Sequence, residues 1–256
     1  MQATINGKAF HFNNLYYPLD VSVIKPYYLH KFFYADAMSK EAIIIGISGP
    51  SASGKSLLAN TIVNELGSDQ VVVISEDAYY KDNSHLSLSE REQINYDHPD
   101  SFDHALLCEH LRQLQQGNSV DIPIYSHTKH IRLSETRRIG KHIIIVVEGI
   151  LLFSEKALRE LMDIRIFMSA PLDVCLSRRL KRDVVERHRS FESVLHQYET
   201  TVRPMYLQFI EPSSRYADLI VPRGGENRIA IDMIQAKMRE LLAINHKQVK
   251  SLREDK

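Results

Sequence analysis

The sequence predicts an α/β fold of the phosphate-loop type, a parallel sheet flanked by helices, and two observations carry that prediction. Residues Gly49-Pro50-Ser51-Ala52-Ser53-Gly54-Lys55-Ser56 fit G-x-x-x-x-G-K-[ST], the loop whose backbone N–H groups cradle phosphates. Short apolar runs also alternate with helical segments, at 42–47, 71–75, 143–147, 164–168 and 218–221, the pattern of strands in a parallel sheet.

The first run, Ala42 to Ile47, reads as a buried strand that feeds the loop. Small residues there let successive N–H groups turn onto an anion, and the helix that follows offers its unpaired N–H groups and positive dipole end. Lys55 adds a mobile charge, and Ser56 supplies the hydroxyl that such loops place on Mg²⁺. Leu57, Leu58, Ala59, Ile62, Val63 and Leu66 give that helix its apolar stripe. A nucleoside triphosphate is the expected ligand.

In such sheets ligands sit beyond the carboxyl ends of the strands, so the residues after each run matter most. The second run ends in Ser75-Glu76-Asp77 and the third in Glu148-Gly149. Between them, Val120 to Tyr125 and Ile131 to Leu133 read as a side hairpin, a small flap over the site. After the fourth run, Pro171 and Asp173 open a helix followed by Arg178, Arg179, Lys181, Arg182, Arg187 and Arg189. Arg178 shares a helical face with Arg182, as does Arg179, so a forked donor array could close over phosphates. Asp183 and Glu186 alternate with these cations, and a solvated, salt-bridged helix explains the run equally well.

The ends differ from this body. Residues 1–37 are crowded with aromatic side chains but show no clear helix or strand period, and Met38 stands immediately before the first strand, where a compact domain would begin. The expectation is that Met38 is the true start, that residues 38–244 form the catalytic domain, and that 245–256 are a frayed helix end or disordered tail.

Across 256 residues, 32 Lys and Arg balance 32 Asp and Glu, so no overall basic excess points to nucleic acid as the main partner, and small diffusible substrates fit better. Cys108 and Cys175 stand far apart, outside any C-x-x-C spacing, so no disulfide framework or thiolate zinc site is indicated. No apolar run of about 18 residues could span a bilayer, and no signal-peptide pattern is present. The expectation is a soluble, cytoplasmic protein with no membrane partner.

Phosphoryl transfer needs a metal, positive charge on the migrating group, and a group that orients and deprotonates the acceptor. Glu148, directly after an apolar strand, is the candidate acidic metal contact. Asp77 is the candidate general base, with Glu76 its competitor, since alternation along a strand sends the two to opposite sides without saying which faces the site. His127 and His130 form H-x-x-H, but no second ligand pair stands nearby, and substrate contact is the better reading.

Taken together, Gly49 to Ser56, Ser75 to Asp82, Asn95-Tyr96-Asp97-His98-Pro99, Pro123-Ile124-Tyr125 with His130-Ile131-Arg132, Glu148 to Leu151 and Val221 to Gly225 resemble the uridine kinases (uridine-cytidine kinases) over about 43–242. The resemblance implies a P-loop kinase fold with a five-stranded parallel core, transfer of the γ-phosphoryl of ATP or GTP to the 5′-hydroxyl of uridine or cytidine, Mg²⁺, and a homo-oligomer, often a tetramer. By matching position it implies Asp77 as the catalytic aspartate, which favours it over Glu76, and Asp97 as the ribose-hydroxyl carboxylate. Tyr125, His130 and Arg189 would contact the base, with Tyr80, Tyr96 and Gln197 lining the pocket. Arg179 would lie near the sugar, Arg182 and Arg187 on the donor phosphates, and Ser56 with Glu148 at Mg²⁺; Lys55 and Arg182 join Asp77 as catalytic groups.

Three departures stand out. The family often has Arg-Gly-Arg where this chain has Arg187-His188-Arg189; some members carry aspartate at Ser126; and Pro50 removes one backbone donor from the loop. Phosphoribulokinase is the nearest enzymatic rival, but a sugar-phosphate acceptor calls for extra cations rather than Tyr125 and His130. A regulatory GTPase is disfavoured by the absence of N-K-x-D and D-x-x-G, and an RNA-binding regulator using the arginine stripe is the rival from another class.

Overall fold

The computed structural model describes residues 2–5, 8–11, 42–67 and 69–254, with side chains from 42 to 67 and 69 to 245. Two units emerge, residues 1–39 and 40–256. In the first, β1 (Gln2–Ile5) pairs antiparallel with β2 (Lys8–His11). This hairpin corrects the expectation of no strand period near the N-terminus: four residues per strand are too few for alternation to stand out. The expected start at Met38 lies outside the described residues.

The second unit is built on β3 (Ile43–Ser48), β4 (Val71–Ser75), β7 (Ile144–Gly149), β8 (Ile164–Ser169) and β9 (Leu219–Pro222), with β5 (Val120–Ser126) and β6 (Ile131–Ile139) falling between β4 and β7 in the chain. The strands are ordered β4-β7-β3-β8-β9 and every pairing is parallel, as the alternating pattern requires. Strand β7 shows why the runs read as continuously apolar. Ile144 and Val146 pack with Leu58, Ile62 and Ile234 on one face, while Ile145 and Val147 pack with Leu107, Leu111 and Phe153 on the other. Each fully buried aliphatic side chain of this kind contributes about 1.5–3 kcal/mol.

Helix α1 (Lys55–Leu66) follows the phosphate loop and buries Leu58, Ala59 and Ile62 against the sheet. After β4 the chain turns at once into a 3₁₀ segment, Glu76–Tyr79, so the expectation that Asp77 closes a strand is corrected and strand alternation does not govern the two acids. A short α2 (Leu88–Glu92) carries a capping box between Ser87 and Glu90, and α3 (His104–Gln115) is capped by Asp103.

The predicted flap is present as β5 (Val120–Ser126) and β6 (Ile131–Ile139), paired antiparallel. Arg132 ties it to the 3₁₀ segment, donating from Nε to the Tyr80 carbonyl at 2.7 Å and from Nη2 to the Tyr79 carbonyl at 3.2 Å. Beyond α4 (Lys156–Leu161) and β8, α5 (Leu172–Val185) carries the arginines. Next, α6 (Phe191–Gln197) runs on through π-type turns at Tyr198–Val202 and Tyr206–Ile210. The last helix, α7 (Arg228–Glu254), extends through most of the expected polar tail. Among the described residues, no helix is long and apolar enough to cross a membrane.

Candidate active site

The phosphate loop is held from both ends. Lys55 is buried, and Nζ donates to the carbonyls of Gly49 at 3.0 Å and Pro50 at 2.9 Å, folding the loop around its own ammonium. Burial lowers its pKa, with Glu148 and Asp77 pulling the other way. Pro50 takes part through its carbonyl, which also accepts from Ser53 N–H at 3.2 Å, so its missing donor leaves the loop intact. Gly54 adopts φ 97° at the start of α1 and packs on Gly225, whose N–H donates to the Ser53 carbonyl at 3.1 Å. This contact explains why Gly224-Gly225 belongs with the loop.

Glu148 stands next to the end of β7, which lies between β3 and β4. It accepts from Ser56 Oγ at 3.1 Å on Oε2 and from Ser75 Oγ at 2.8 Å on Oε1. A hydroxyl and a carboxylate beside the loop form an oxygen-only donor set suited to a hard cation such as Mg²⁺.

The neighbouring acids separate cleanly. Glu76 is fully buried: Oε2 accepts from Leu151 N–H at 2.9 Å and Oε1 lies 2.8 Å from His104 Nε2. Its side chain also fills the space in which a Cβ on Gly149 would lie, which explains glycine after Glu148. The Asp77 carboxylate is instead 38% exposed and faces His127 Nε2 at 3.7 Å.

Tyr80 stands at the centre of an aromatic enclosure. Its ring stacks on Phe102 at 4.2 Å and meets Tyr96 edge-on at 5.3 Å and Tyr125 at 4.9 Å. His130, with φ 52°, stacks on Tyr96 at 4.8 Å and 17°. The hydroxyls of Tyr96 and Tyr125 are buried inside apolar walls and face one another, with Asn83 beside Tyr96, so the enclosure carries polar atoms as well as rings. Asp97 is buried close by, 3.4 Å from Thr201 Oγ1; burial raises its pKa against the opposing charge of Arg179. The H-x-x-H spacing is divided between the two ends of this enclosure, and no group of metal-ligating side chains occurs among the described residues.

The arginines converge on one carboxylate that the sequence offered only as a surface partner. Asp183 is completely buried, with Arg182 Nε at 2.8 Å, Arg179 Nε at 3.6 Å, Arg187 Nη1 at 3.7 Å and Arg189 Nη1 at 3.8 Å. Burial pushes its carboxyl up, but the hydrogen bond from Arg182 and the surrounding guanidinium charges outweigh it and hold it below the usual range. Four guanidinium groups around one buried carboxylate make a net positive cluster, and that burial does not fit a merely solvated helix. Arg179 also donates to Ser51 Oγ at 3.0 Å and, like Arg189, to Gln197 Oε1, linking lid, loop and pocket. Arg178 does not join them: it pairs with Glu226, contrary to the face shared with Arg182 on helical spacing. Arg187 and Arg189 lie beyond the end of α5, and His188 between them adopts φ 53°.

Comparisons with known proteins agree with this geometry. The phosphoribulokinase / uridine kinase family profile matches residues 44–230. A uridine kinase from Shewanella amazonensis is 58% identical over 209 residues, covering 80% of this chain and 99% of that protein. One from Tolumonas auensis is 60% identical over 206 residues, covering 79% and 96%. The structure of phosphoribulokinase from Rhodobacter spheroides superposes with a TM-score of 0.53 at 16% identity, covering 71% of this chain and 70% of that one, and so shares the fold. With the family profile covering most of the described chain and relatives near 60% identity aligned over nearly their whole length, the chain belongs to the phosphoribulokinase / uridine kinase family.

Proposed function

We infer that this chain is a pyrimidine-nucleoside kinase, transferring the γ-phosphoryl of ATP or GTP to the 5′-hydroxyl of uridine or cytidine to give UMP or CMP. The observation that carries it is the similarity to curated uridine kinases over almost their full length. The site supports it from below: a phosphate loop, a partly exposed carboxylate and an aromatic enclosure lined by tyrosine hydroxyls suit a triphosphate, an alcohol and a flat base in that order.

In this reading the backbone N–H groups of Gly49 to Ser56 with Lys55, Arg182 and Arg187 hold the donor phosphates, and Ser56 and Glu148 hold Mg²⁺, which neutralises phosphate charge when bound. Asp97 takes the ribose hydroxyls, with Arg179 beside the sugar. Tyr80, Tyr96, Tyr125, His130, Arg189 and Gln197 receive the base. Asp77 accepts a hydrogen bond from the 5′-hydroxyl, keeps its oxygen in line with the γ-phosphorus, and takes the proton late, as the new P–O bond forms. Arg182 and Lys55 offset the charge on the migrating group. We place the protein in the cytoplasm as a homotetramer; exposed Ile220, Ile229 and Met233 offer apolar surface for such contacts.

The test is a coupled assay with Mg²⁺, ATP or GTP, and a panel of uridine, cytidine, adenosine, thymidine and ribulose 5-phosphate. Turnover confined to uridine and cytidine is expected; turnover with the sugar phosphate alone would overturn the assignment.

A further inference from the structure

His127 has no role in the mechanism above, yet its imidazole faces the proposed base. It projects from β5–β6, which Arg132 fastens to the 3₁₀ segment bearing Asp77. Its ring is fixed edge-on by Tyr125 at 5.4 Å and 79° and by Tyr80 at 6.5 Å and 83°, and Nε2 points at Asp77 Oδ2 from 3.7 Å. A carboxylate that is free to rotate presents either oxygen to the acceptor; one tethered through Oδ2 presents Oδ1.

We propose that His127 is a positioning residue for phosphoryl transfer, closing from 3.7 Å to a hydrogen bond from Nε2–H to Asp77 Oδ2 when the acceptor binds, so that Oδ1 stays aimed at the acceptor hydroxyl. The inference rests on Asp77 being the base. No atom is transferred through the imidazole; it orients the group that takes the proton.

The charge state of the imidazole then controls the tether. It is faced by Asp77 of the 3₁₀ segment, Arg182 and Asp183 of α5, Arg187 beyond that helix, and His130 at the hairpin turn. Burial lowers its pKa below the ordinary 6.5, Asp77 opposes this, and Arg187 and Arg182 reinforce it. The ring is therefore neutral at neutral pH and charges on acidification. As imidazolium it pairs with the Asp77 carboxylate and competes with the acceptor hydroxyl, so turnover falls as pH drops through the imidazole range.

The experiment is the pH profile of kcat for the full chain, His127→Gln and His127→Ala, with uridine and ATP, alongside NMR titration of the His127 ring in the unaltered protein and in Asp77→Asn. Glutamine keeps a donor near Nε2 but does not titrate. His127→Gln is expected to keep neutral-pH kcat within about threefold while its acid limb moves to lower pH, and His127→Ala to lose about 10- to 100-fold in kcat with donor KM unchanged. Asp77→Asn should lower the pKa of the ring, because the carboxylate that favours its charged form is gone. An acid limb in His127→Gln that superimposes on the parent, unchanged neutral kcat in His127→Ala, or a ring titration indifferent to Asp77→Asn would each overturn the proposal. Failure to phosphorylate any pyrimidine nucleoside would instead sink the proposed function, and the ring titration would still decide the pairing.

Discussion

Glu76 and His104 meet 2.8 Å apart in the interior, and that contact assigns the two adjacent acids to different tasks. With its other oxygen on Leu151 N–H, Glu76 joins the first 3₁₀ turn to α3 and to the chain after β7. Glu76→Ala strands both donors in the core, at about 1–3 kcal/mol each. Chemical denaturation should therefore show a large loss of stability, and an unchanged midpoint would remove Glu76 from the framework.

Asp77→Asn should behave in the opposite way. Its side chain is half-exposed and bonded to no backbone group, so the unfolding midpoint should barely move. Turnover should fall by about 10² or more with little change in KM, because the lost interaction matures in the transition state. Unchanged kcat would exclude Asp77 as the base.

How far these tasks could be read from the sequence differs from residue to residue. The five sheet strands, the phosphate loop and the flap were legible because each is written locally, as an apolar run or a contiguous motif. Glu148 was legible for the same reason. Asp77 against Glu76 was favoured only by the resemblance and not by local geometry, since Glu76 is engaged by His104 and Leu151, which are 28 and 75 residues away. Asp183 misled because i,i+4 spacing to Arg179 and Arg187 is what a surface helix also shows; only burial turns it into a hub. His127 and His130 were read as a pair for substrate contact, whereas the hairpin turn sends the two rings to Asp77 and Tyr96, which no spacing rule reveals.

Within the enclosure, His130→Ala removes a ring stacked on Tyr96 and a polar group at the pocket edge. The expected result is a rise of about tenfold in the uridine KM with donor KM unchanged, from a stacking and a hydrogen-bonding loss of about 1 kcal/mol or less each. Steady-state kinetics with both substrates varied decides it: a rise in donor KM alone would show that the base pocket is misassigned.

The hub makes a pH-dependent prediction. Because the folded pKa of Asp183 is depressed, the stability it contributes is present in full above the unfolded value near 3.8 and is lost as pH falls through the folded value. Asp183→Asn should therefore show a constant deficit at neutral and mildly acidic pH that shrinks only below about pH 4. Urea midpoints measured from neutral to strongly acidic pH test this, and a deficit that persists undiminished in acid would mean the arginines are not held by the charge.

His188 sits at φ 53° between Arg187 and Arg189, where a side chain crowds the backbone and glycine does not. The turn is nevertheless closed, since Arg189 N–H donates to the Asp183 carbonyl at 3.1 Å, so hub and strained residue hold one another in place. Relief of about 1–2 kcal/mol of left-handed strain in His188→Gly is partly offset by about 0.5–1 kcal/mol of added backbone entropy in the unfolded chain. The net expectation is a gain of about 0.5–1 kcal/mol in unfolding free energy, whereas a β-branched residue at the same place should destabilise. If His188→Gly is less stable than the parent, the imidazole makes a stabilising contact that outweighs its strain, and the departure from Arg-Gly-Arg serves the lid rather than straining it.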